Sequence, residues 1–185
     1  MAMPAVLPKP TYSIAEIRSW PRDGCRYELL DGMLLVTPSP AFEHQVVATR
    51  LTMLIGNYLG DDGPAAIVSP GDVEVGPKTC LEPDLLVYPS SYTLKTKWSR
   101  IRGWWLAVEV LSPGSRRYDR DYKRDAYLAL GVREVWLVDL KEHCVLVSVP
   151  DAPRDVRRSG RLAWHPPEMP APMVLDLPRL LRGLP

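Results

Sequence analysis

The chain has 185 residues, of which 46% are hydrophobic and 24% charged, and its formal net charge is +1. This composition predicts a single globular domain (1–185) and argues against intrinsic disorder and against a chain that is basic throughout. No apolar run approaches the roughly 20 residues of a membrane span, no secretory signal is apparent at residues 1–9, and three widely spaced cysteines favour a reducing cytoplasm.

The first predicted elements follow a loose, Pro-rich arm over residues 1–11. Ser13 and Glu16 have the S-x-x-E spacing with which a helix begins. Residues 26–30 and 33–36 flank Asp31-Gly32, which is the strongest short signal for a β-hairpin. Apolar residues then recur with helical spacing over residues 41–59, and this predicts an amphipathic helix of about five turns.

Strands alternate with helices in the remainder of the chain. A helix is predicted over residues 120–130, ended by Gly131. The pattern predicts an α/β fold with a β-sheet flanked by helices. The Pro- and Arg-rich segment 150–185 is expected to pack on the same domain as short extended pieces. The strand predictions cover residues 66–69, 72–75, 85–88, 104–111, 134–140, 144–149, 162–164 and 173–177.

Glu109 is the most informative residue of the sequence. It lies in a strand, residues 104–111, that is apolar on both faces, with Trp105, Ala107 and Leu111 expected on its own side. An isolated buried carboxylate costs several kcal/mol unless it is paired or ligates a metal. The alternatives are an ion pair with an Arg and an exposed strand end.

Asp84 raises the same question, because it begins the apolar strand 85–88. Alone it is a common turn residue. Two carboxylates at neighbouring strand ends, however, form the hard-oxygen site that Mg²⁺ or Mn²⁺ prefers. With Glu109, Asp84 therefore predicts a divalent metal site that could serve phosphodiester hydrolysis.

Three further groups are candidates. Asp119, Lys123 and Tyr127 share one helix face at i, i+4 and i+8, where a solvated ion pair is the ordinary interpretation. We expect the adjacent stripe, Tyr122, Ala126 and Leu130, to be the more buried one. Glu28 is either a surface carboxylate or a site residue, and His44, near the start of the long helix, is either a local hydrogen bonder or part of the site.

Taken together, these segments resemble the Uma family of endonucleases in the PD-(D/E)xK, or restriction-endonuclease-like, superfamily. The resemblance extends from Ile14 to about Leu181. The segments that carry it are Tyr27–Gly32, Pro38–Pro40 with His44, Pro83–Leu85, Val108–Pro113 through Asp119 and Lys123 to Tyr127, and Gly131–Asp139. It implies a mixed central sheet flanked by helices and a metal-dependent cleavage of DNA.

The resemblance also implies roles for individual residues. Asp84 and Glu109 would be metal ligands, Glu28 would add a third acidic ligand, and His44 would lie near the active site. The superfamily pattern has a lysine two residues after the second acid, but this chain has Leu111 there. The resemblance suggests that the lysine has moved to Lys123 on the following helix, where it would assist the attacking water.

Several partners and alternative functions follow from these observations. Basic clusters at residues 95–102, 116–117 and 154–161 could contact DNA, and Trp- and Pro-rich edges, expected to be exposed, are compatible with a homodimer. Because of Leu111, a nuclease-fold module that only binds nucleic acid or a protein remains the alternative. Ser112 as a nucleophile has little support without a G-x-S-x-G elbow, and neither zinc spacing nor a phosphate loop is present, so no organic cofactor is expected.

Overall fold

The computed structural model describes residues 11–21, 23–37 and 39–184. The predicted arm therefore lies outside the described residues except for Thr11, and so does Pro38 of the Pro38–Pro40 segment. The helices are α1 (Ile14–Arg18), α2 (Phe42–Leu59), α3 (Arg116–Tyr118), α4 (Arg124–Ala129) and α5 (Leu177–Leu180), with a π-helical turn over Asp119–Lys123 and a 3₁₀ turn over Trp98–Arg100. The strands are β1 (Arg26–Leu30), β2 (Met33–Thr37), β3 (Ala65–Val68), β4 (Val73–Val75), β5 (Thr79–Leu81), β6 (Leu85–Pro89), β7 (Leu106–Leu111), β8 (Val135–Asp139), β9 (Cys144–Ser148), β10 (Val156–Arg158), β11 (Arg161–Trp164) and β12 (Met173–Asp176).

The local signals of the N-terminal part form the structures that they predict. The Ser13 side chain accepts a hydrogen bond from the Glu16 backbone N–H, and the Glu16 carboxylate accepts one from the Ser13 backbone N–H, so α1 begins with a complete capping box. Asp31 and Gly32 both have positive φ, 50° and 79°. This left-handed pair makes the tight turn that joins β1 to β2.

A six-stranded sheet forms the centre of the fold, in the order β10-β9-β8-β7-β6-β3. β7 and β8 are parallel, and the helical segment from α3 to α4 connects them, whereas the other neighbouring pairs are antiparallel. The prediction of a mixed α/β sheet flanked by helices is therefore confirmed. A second sheet, β2-β1-β5-β4, and a hairpin of β11 and β12 complete the strands.

Apolar side chains cover both faces of the central sheet. On one face, α2 packs together with the C-terminal segment, whose Trp164 meets Trp136 of β8 edge-on at 5.8 Å. On the other face, Tyr127 and Leu128 of α4 pack with side chains from the four-stranded sheet. Side chains of the C-terminal segment from Leu162 to Leu181 belong to the core cluster on the α2 face of the sheet.

Two details of the sequence prediction are wrong. The strand predicted to start at Trp104 starts at Leu106, and as a result Trp104 packs on the face of Ala107 while Trp105 packs on the face of Val108. Residues 120–130 are not one regular helix, because a π-helical turn interrupts it. The short elements β5, β10 and α5 were not predicted, since fewer than five residues carry little periodicity.

Candidate active site

Lys123 is the centre of a buried cluster of charged side chains. Its Nζ lies 2.6 Å from Glu109 Oε1 and 2.8 Å from Glu28 Oε1, and only 3% of its surface is exposed. Asp119 is 3.8 Å away, one turn earlier on the same segment. Burial by itself would lower the pKa of Lys123, but the carboxylates of Glu109, Glu28 and Asp119 raise it above its ordinary value. The amine is therefore a buried ammonium ion.

The helical segment after β7 presents a different face to the core from the one predicted. Asp119, Lys123 and Tyr127 are buried, at 0–3% exposure, whereas Tyr122 is 39% exposed. Ala126 and Leu130 are half-buried. The polar i, i+4, i+8 stripe faces inward because Glu28 and Glu109 provide ionic partners there that sequence spacing cannot reveal. The π-helical turn contains both Asp119 and Lys123, and such turns occur frequently at functional sites.

Asp84 lies at the start of β6 and is held from three sides. Its Oδ2 accepts a hydrogen bond from the Val110 backbone N–H at 2.8 Å and lies 3.1 Å from His44 Nε2. Its Oδ1 lies 3.1 Å from Arg26 Nη1. Burial would raise the pKa of Asp84, but the hydrogen bond and charge of His44, the Val110 amide and Arg26 lower it. Asp84 is consequently an ionised carboxylate next to Glu109.

Glu109 is a buried carboxyl group in the second half of strand β7. Its Oε1 accepts a hydrogen bond of 2.6 Å from the Tyr127 hydroxyl in addition to the Lys123 contact. Burial raises the pKa of Glu109 well above its ordinary value. The positive charge of Lys123 lowers this pKa, whereas the negative charges of Asp119, Asp84 and Glu28 raise it. Another positive charge in the cluster would relieve this repulsion.

The cluster lines a cavity of about 230 Å³ that reaches from β1 to the loop after β7. Among the described residues that line it, four are acidic (Glu28, Asp84, Glu109 and Asp119), whereas two, Arg26 and Lys123, are permanently basic. When all four acids are ionised and His44 is neutral, the cavity carries an excess of two negative charges. Carboxylate oxygens with such an excess fit a hard divalent cation such as Mg²⁺ or Mn²⁺.

Of the three acids predicted as metal ligands, Glu28 and Glu109 contact Lys123, whereas Asp84 contacts Arg26 and His44. Within the described residues, Asp72, Glu74 and Cys80 form the set of three ligand side chains whose atoms all lie within 4.8 Å of one another. Arg18 binds both carboxylates of that set, at 3.3 and 2.7 Å. The structure thus brings Glu28, Asp84, Glu109, Lys123 and His44 into one cavity, with Lys123 between Glu28 and Glu109.

Leu111 occupies the position at which the superfamily pattern has its lysine. It is 4% exposed and packs in the apolar cluster with Ala107 and Leu137. A charged amine at this position would have to leave that cluster. Lys123 is the lysine that lines the cavity among the described residues.

Sequence reasoning did not assign Arg26, Asp119 or Tyr127 to the site. Arg26 precedes Glu28 by two residues on β1, and strand periodicity places both side chains on one face, but nothing in the sequence pairs Arg26 with Asp84. Asp119 and Tyr127 lie on the same helix face as Lys123, and their spacing alone predicts a solvated ion pair on an exposed helix. Their contribution depends on the inward orientation of that face.

Other residues singled out in the sequence lie outside this cavity. The basic residues at 95, 97, 100, 102, 117, 154, 157, 158 and 161 are exposed or half-buried, and Arg116 is bound by both carboxylate oxygens of Asp139. All six Trp residues are at least half-buried, so the exposed Trp edges expected for a homodimer are not found. The three cysteines are free thiols. Among the described residues, no helix has the length and apolarity needed to cross a membrane.

Comparisons with known proteins give one family and one fold. A family model described as "Uma2: Putative restriction endonuclease" matches residues 14–178. A solved structure from Anabaena variabilis ATCC 29413, described as "a putative nuclease belonging to DUF820", has 18% sequence identity and a TM-score of 0.77, over 94% of this chain and 99% of that one. At this identity the likeness shows the fold. No curated protein matches the chain.

Proposed function

The chain belongs to the Uma2 family, and on this premise we propose that it is a metal-dependent endonuclease that hydrolyses phosphodiester bonds of DNA. The observation that carries the proposal is the cavity in which Lys123 and four carboxylates meet. Structural ion pairs usually match one cation with one anion, whereas this cavity has an excess of four acidic over two permanently basic side chains. Such an excess is suited to binding a divalent cation beside an anionic substrate.

Asp84, Glu109 and Glu28 are the residues that would hold Mg²⁺ or Mn²⁺. Asp84 and Glu109 come from adjacent antiparallel strands, since Leu85 of β6 pairs with Val108 of β7. Glu28 comes from the second sheet and is linked to Glu109 through Lys123. When bound, the ion supplies Lewis acidity toward the phosphate and toward the attacking water.

Lys123 acts as a charged hydrogen-bond donor. Its raised pKa argues against a role as a general base at neutral pH, because a base must release its proton. In the proposed reaction the ammonium group holds the Glu28 and Glu109 carboxylates in place and stabilises negative charge on the phosphate. This role refines the expectation that Lys123 assists the attacking water.

His44 and Arg26 position Asp84. A carboxylate only accepts hydrogen bonds, so His44 Nε2 carries the hydrogen in the 3.1 Å contact. Arg26 holds the other oxygen of Asp84 and also contacts Glu82 at 3.2 Å. Both side chains line the same cavity, where they are within reach of a phosphate bound beside the acids.

A second candidate function is a nuclease-fold module that binds nucleic acid, or a protein partner, without cleaving. Leu111 favours this alternative, since no lysine follows Glu109 on its strand. In this case the Lys123 ammonium would serve as the permanent partner of Glu28 and Glu109. Binding of DNA would then persist without metal.

The test is cleavage of end-labelled single- and double-stranded DNA in Mg²⁺, Mn²⁺, Ca²⁺ or EDTA. Asp84→Asn and Glu109→Gln keep the shape of each side chain and remove its charge. We expect cleavage in Mg²⁺ or Mn²⁺, its loss in EDTA, and a fall of at least about 100-fold in both variants, since substitutions even of residues that support metal ligands cost 10–100-fold.

Asp62→Asn is the matched control, because Asp62 is exposed at the end of α2 and does not line the cavity. It should cleave as the wild type does. Equal metal-dependent cleavage by all variants would place the reaction elsewhere or in a contaminant. Salt-sensitive DNA binding with no cleavage in any metal would leave the binding module.

A further inference from the structure

A second cavity adjoins the one that Lys123 and the four acidic side chains line. Its volume is about 580 Å³, within the ~300–1,000 Å³ typical of small-molecule sites. The two cavities share four wall residues: Ala41, His44, Ser112 and Pro113. A nucleotide whose phosphate lies beside the carboxylates therefore has its sugar and base at the entrance of this second cavity.

The walls of the second cavity are largely aliphatic. Leu111, Pro113, Leu140 and Leu184 line it, and no Trp, Tyr or Phe does among the described residues. Leu111 is the side chain found where the superfamily pattern has a lysine. Leucine in place of the lysine removes a positive charge from the end of β7 and adds apolar surface to the second cavity.

The charged residues of this cavity are suited to a phosphate-bearing ligand. Its basic lining residues are Lys141 and Arg116, of which Arg116 is offset by an ion pair with Asp139, and its acidic lining residue is Glu43. Both oxygens of Asp139 hold the Arg116 guanidinium in position. A lining that combines apolar and basic residues matches a nucleotide, which has a flat, poorly hydrated base and an anionic backbone.

We propose that the second cavity receives the base of the nucleotide next to the scissile phosphate, and that the preferred substrate is DNA in which this base is unpaired. The inference rests on the proposed nuclease function and adds the substrate class. In a matched duplex the base is stacked and paired, and moving it out has a cost that is smallest for a mismatched or single-stranded base. The cavity can accept a base only after that step.

The test compares four substrates of one sequence: a single strand, the same strand with one abasic position, a matched duplex, and a duplex with one mismatch. The wild type is expected to cleave the single strand at least about tenfold faster than the matched duplex, and the mismatch should restore cleavage next to it. An abasic position should reduce cleavage at the adjoining phosphate.

Leu184→Trp fills the cavity, and Leu94→Trp, at a fully exposed position, is the same substitution on the surface. Leu184→Trp should lower cleavage of the single strand by about tenfold and abolish the effect of the abasic position, while Leu94→Trp should behave as the wild type. A single strand that contains 2-aminopurine gives a second readout in EDTA. Its fluorescence should rise on binding, because the base leaves its stacked neighbours and meets no Trp, Tyr or Phe among the described lining residues, and the rise should be absent in Leu184→Trp.

The outcomes separate the two proposals. Equal cleavage of single strand and duplex, or a Leu184→Trp variant equal to wild type, would overturn the base cavity and leave the nuclease intact. If no substrate is cleaved at all, the nuclease proposal fails, and the 2-aminopurine signal then decides whether the second cavity binds a base. A fluorescence rise that Leu184→Trp removes supports it, and no rise contradicts it.

Discussion

Replacing Lys123 by Met removes the positive charge at the centre of the cluster while retaining most of the apolar stem. The Nζ atom contacts Glu109 and Glu28 at 2.6 and 2.8 Å, and all three side chains are at most 3% exposed. Removing one member of such a buried group leaves its partners as uncompensated charges, which costs about 3–5 kcal/mol. We expect the lower end, about 3 kcal/mol, because the Met side chain recovers apolar packing and Glu109, with its raised pKa, can take up a proton.

The assay is equilibrium unfolding in urea at several pH values. For a slope near 2 kcal/mol/M, a loss of about 3 kcal/mol lowers the urea midpoint by about 1.5 M at pH 7. In the wild type the charge of Lys123 lowers the pKa of Glu109, so in the variant this pKa rises further above the unfolded value of 4.5. The native state then binds more protons than the unfolded state, so stability falls as the pH rises, and the loss relative to wild type should be smaller at pH 5 than at pH 8.

Two further variants make the result specific. Lys141→Met is the control, because Lys141 is exposed, and its effect should stay within about 0.5 kcal/mol. Adding Glu28→Gln to Lys123→Met removes one orphaned charge and should restore about 1–2 kcal/mol. A Lys123→Met loss below about 1 kcal/mol that is also independent of pH would refute the buried ammonium between two carboxylates.

The other predictions concern neighbouring contacts and one glycine. Tyr127→Phe removes the 2.6 Å hydrogen bond to Glu109 and should cost about 1.5–3 kcal/mol in urea unfolding; a loss below about 0.5 kcal/mol would contradict a charged acceptor. Burial raises the pKa of Asp119 from 3.8 to about 6. The native state therefore binds more protons than the unfolded state, and the free energy of unfolding of the wild type should fall by up to about 3 kcal/mol as the pH rises from 4 to 6. Thermal melts of Asp119→Asn should lack this fall and show higher stability at pH 7, and an unchanged pH slope would assign it to another group. In Gly63→Ala the new Cβ would clash with the Leu59 carbonyl oxygen, so we expect the free energy of unfolding to fall by about 1–3 kcal/mol. Gly160→Ala is the control with open space around the new Cβ and should have an effect near zero, and equal melting temperatures of the two variants would disprove the clash.

Predictions that depend on neighbouring residues agree with the structure. The capping box at Ser13, the Asp31-Gly32 turn and the long amphipathic helix form within a residue or two of their predicted bounds. Predictions that depend on contacts between residues far apart in the chain agree less closely with the structure. The change of face between Trp104 and Trp105 follows from the start of pairing at Leu106, and single-strand alternation carries no information about that start.

The candidate site divides in the same way. A carboxylate in a strand that is apolar on both faces requires a partner wherever the fold places it, so Glu109 and Asp84 could be singled out from their burial alone. Family resemblance added Glu28, His44 and Lys123. Arg26, Asp119 and Tyr127 join the site through contacts between residues 18–58 positions apart, or through the inward turn of their helix.

The amino-acid sequence by itself determines the elements, the mixed α/β class and the presence of buried acids that need compensation, because hydrophobic periodicity, turn residues and the cost of burying charge act locally. Only the tertiary structure decides that the compensating charge is Lys123, that the polar face of its helix points inward, and that Leu111 faces a second cavity. These outcomes depend on which strands become neighbours. That choice is made by the packing of the whole core, and residues far apart in the chain meet only once it is complete.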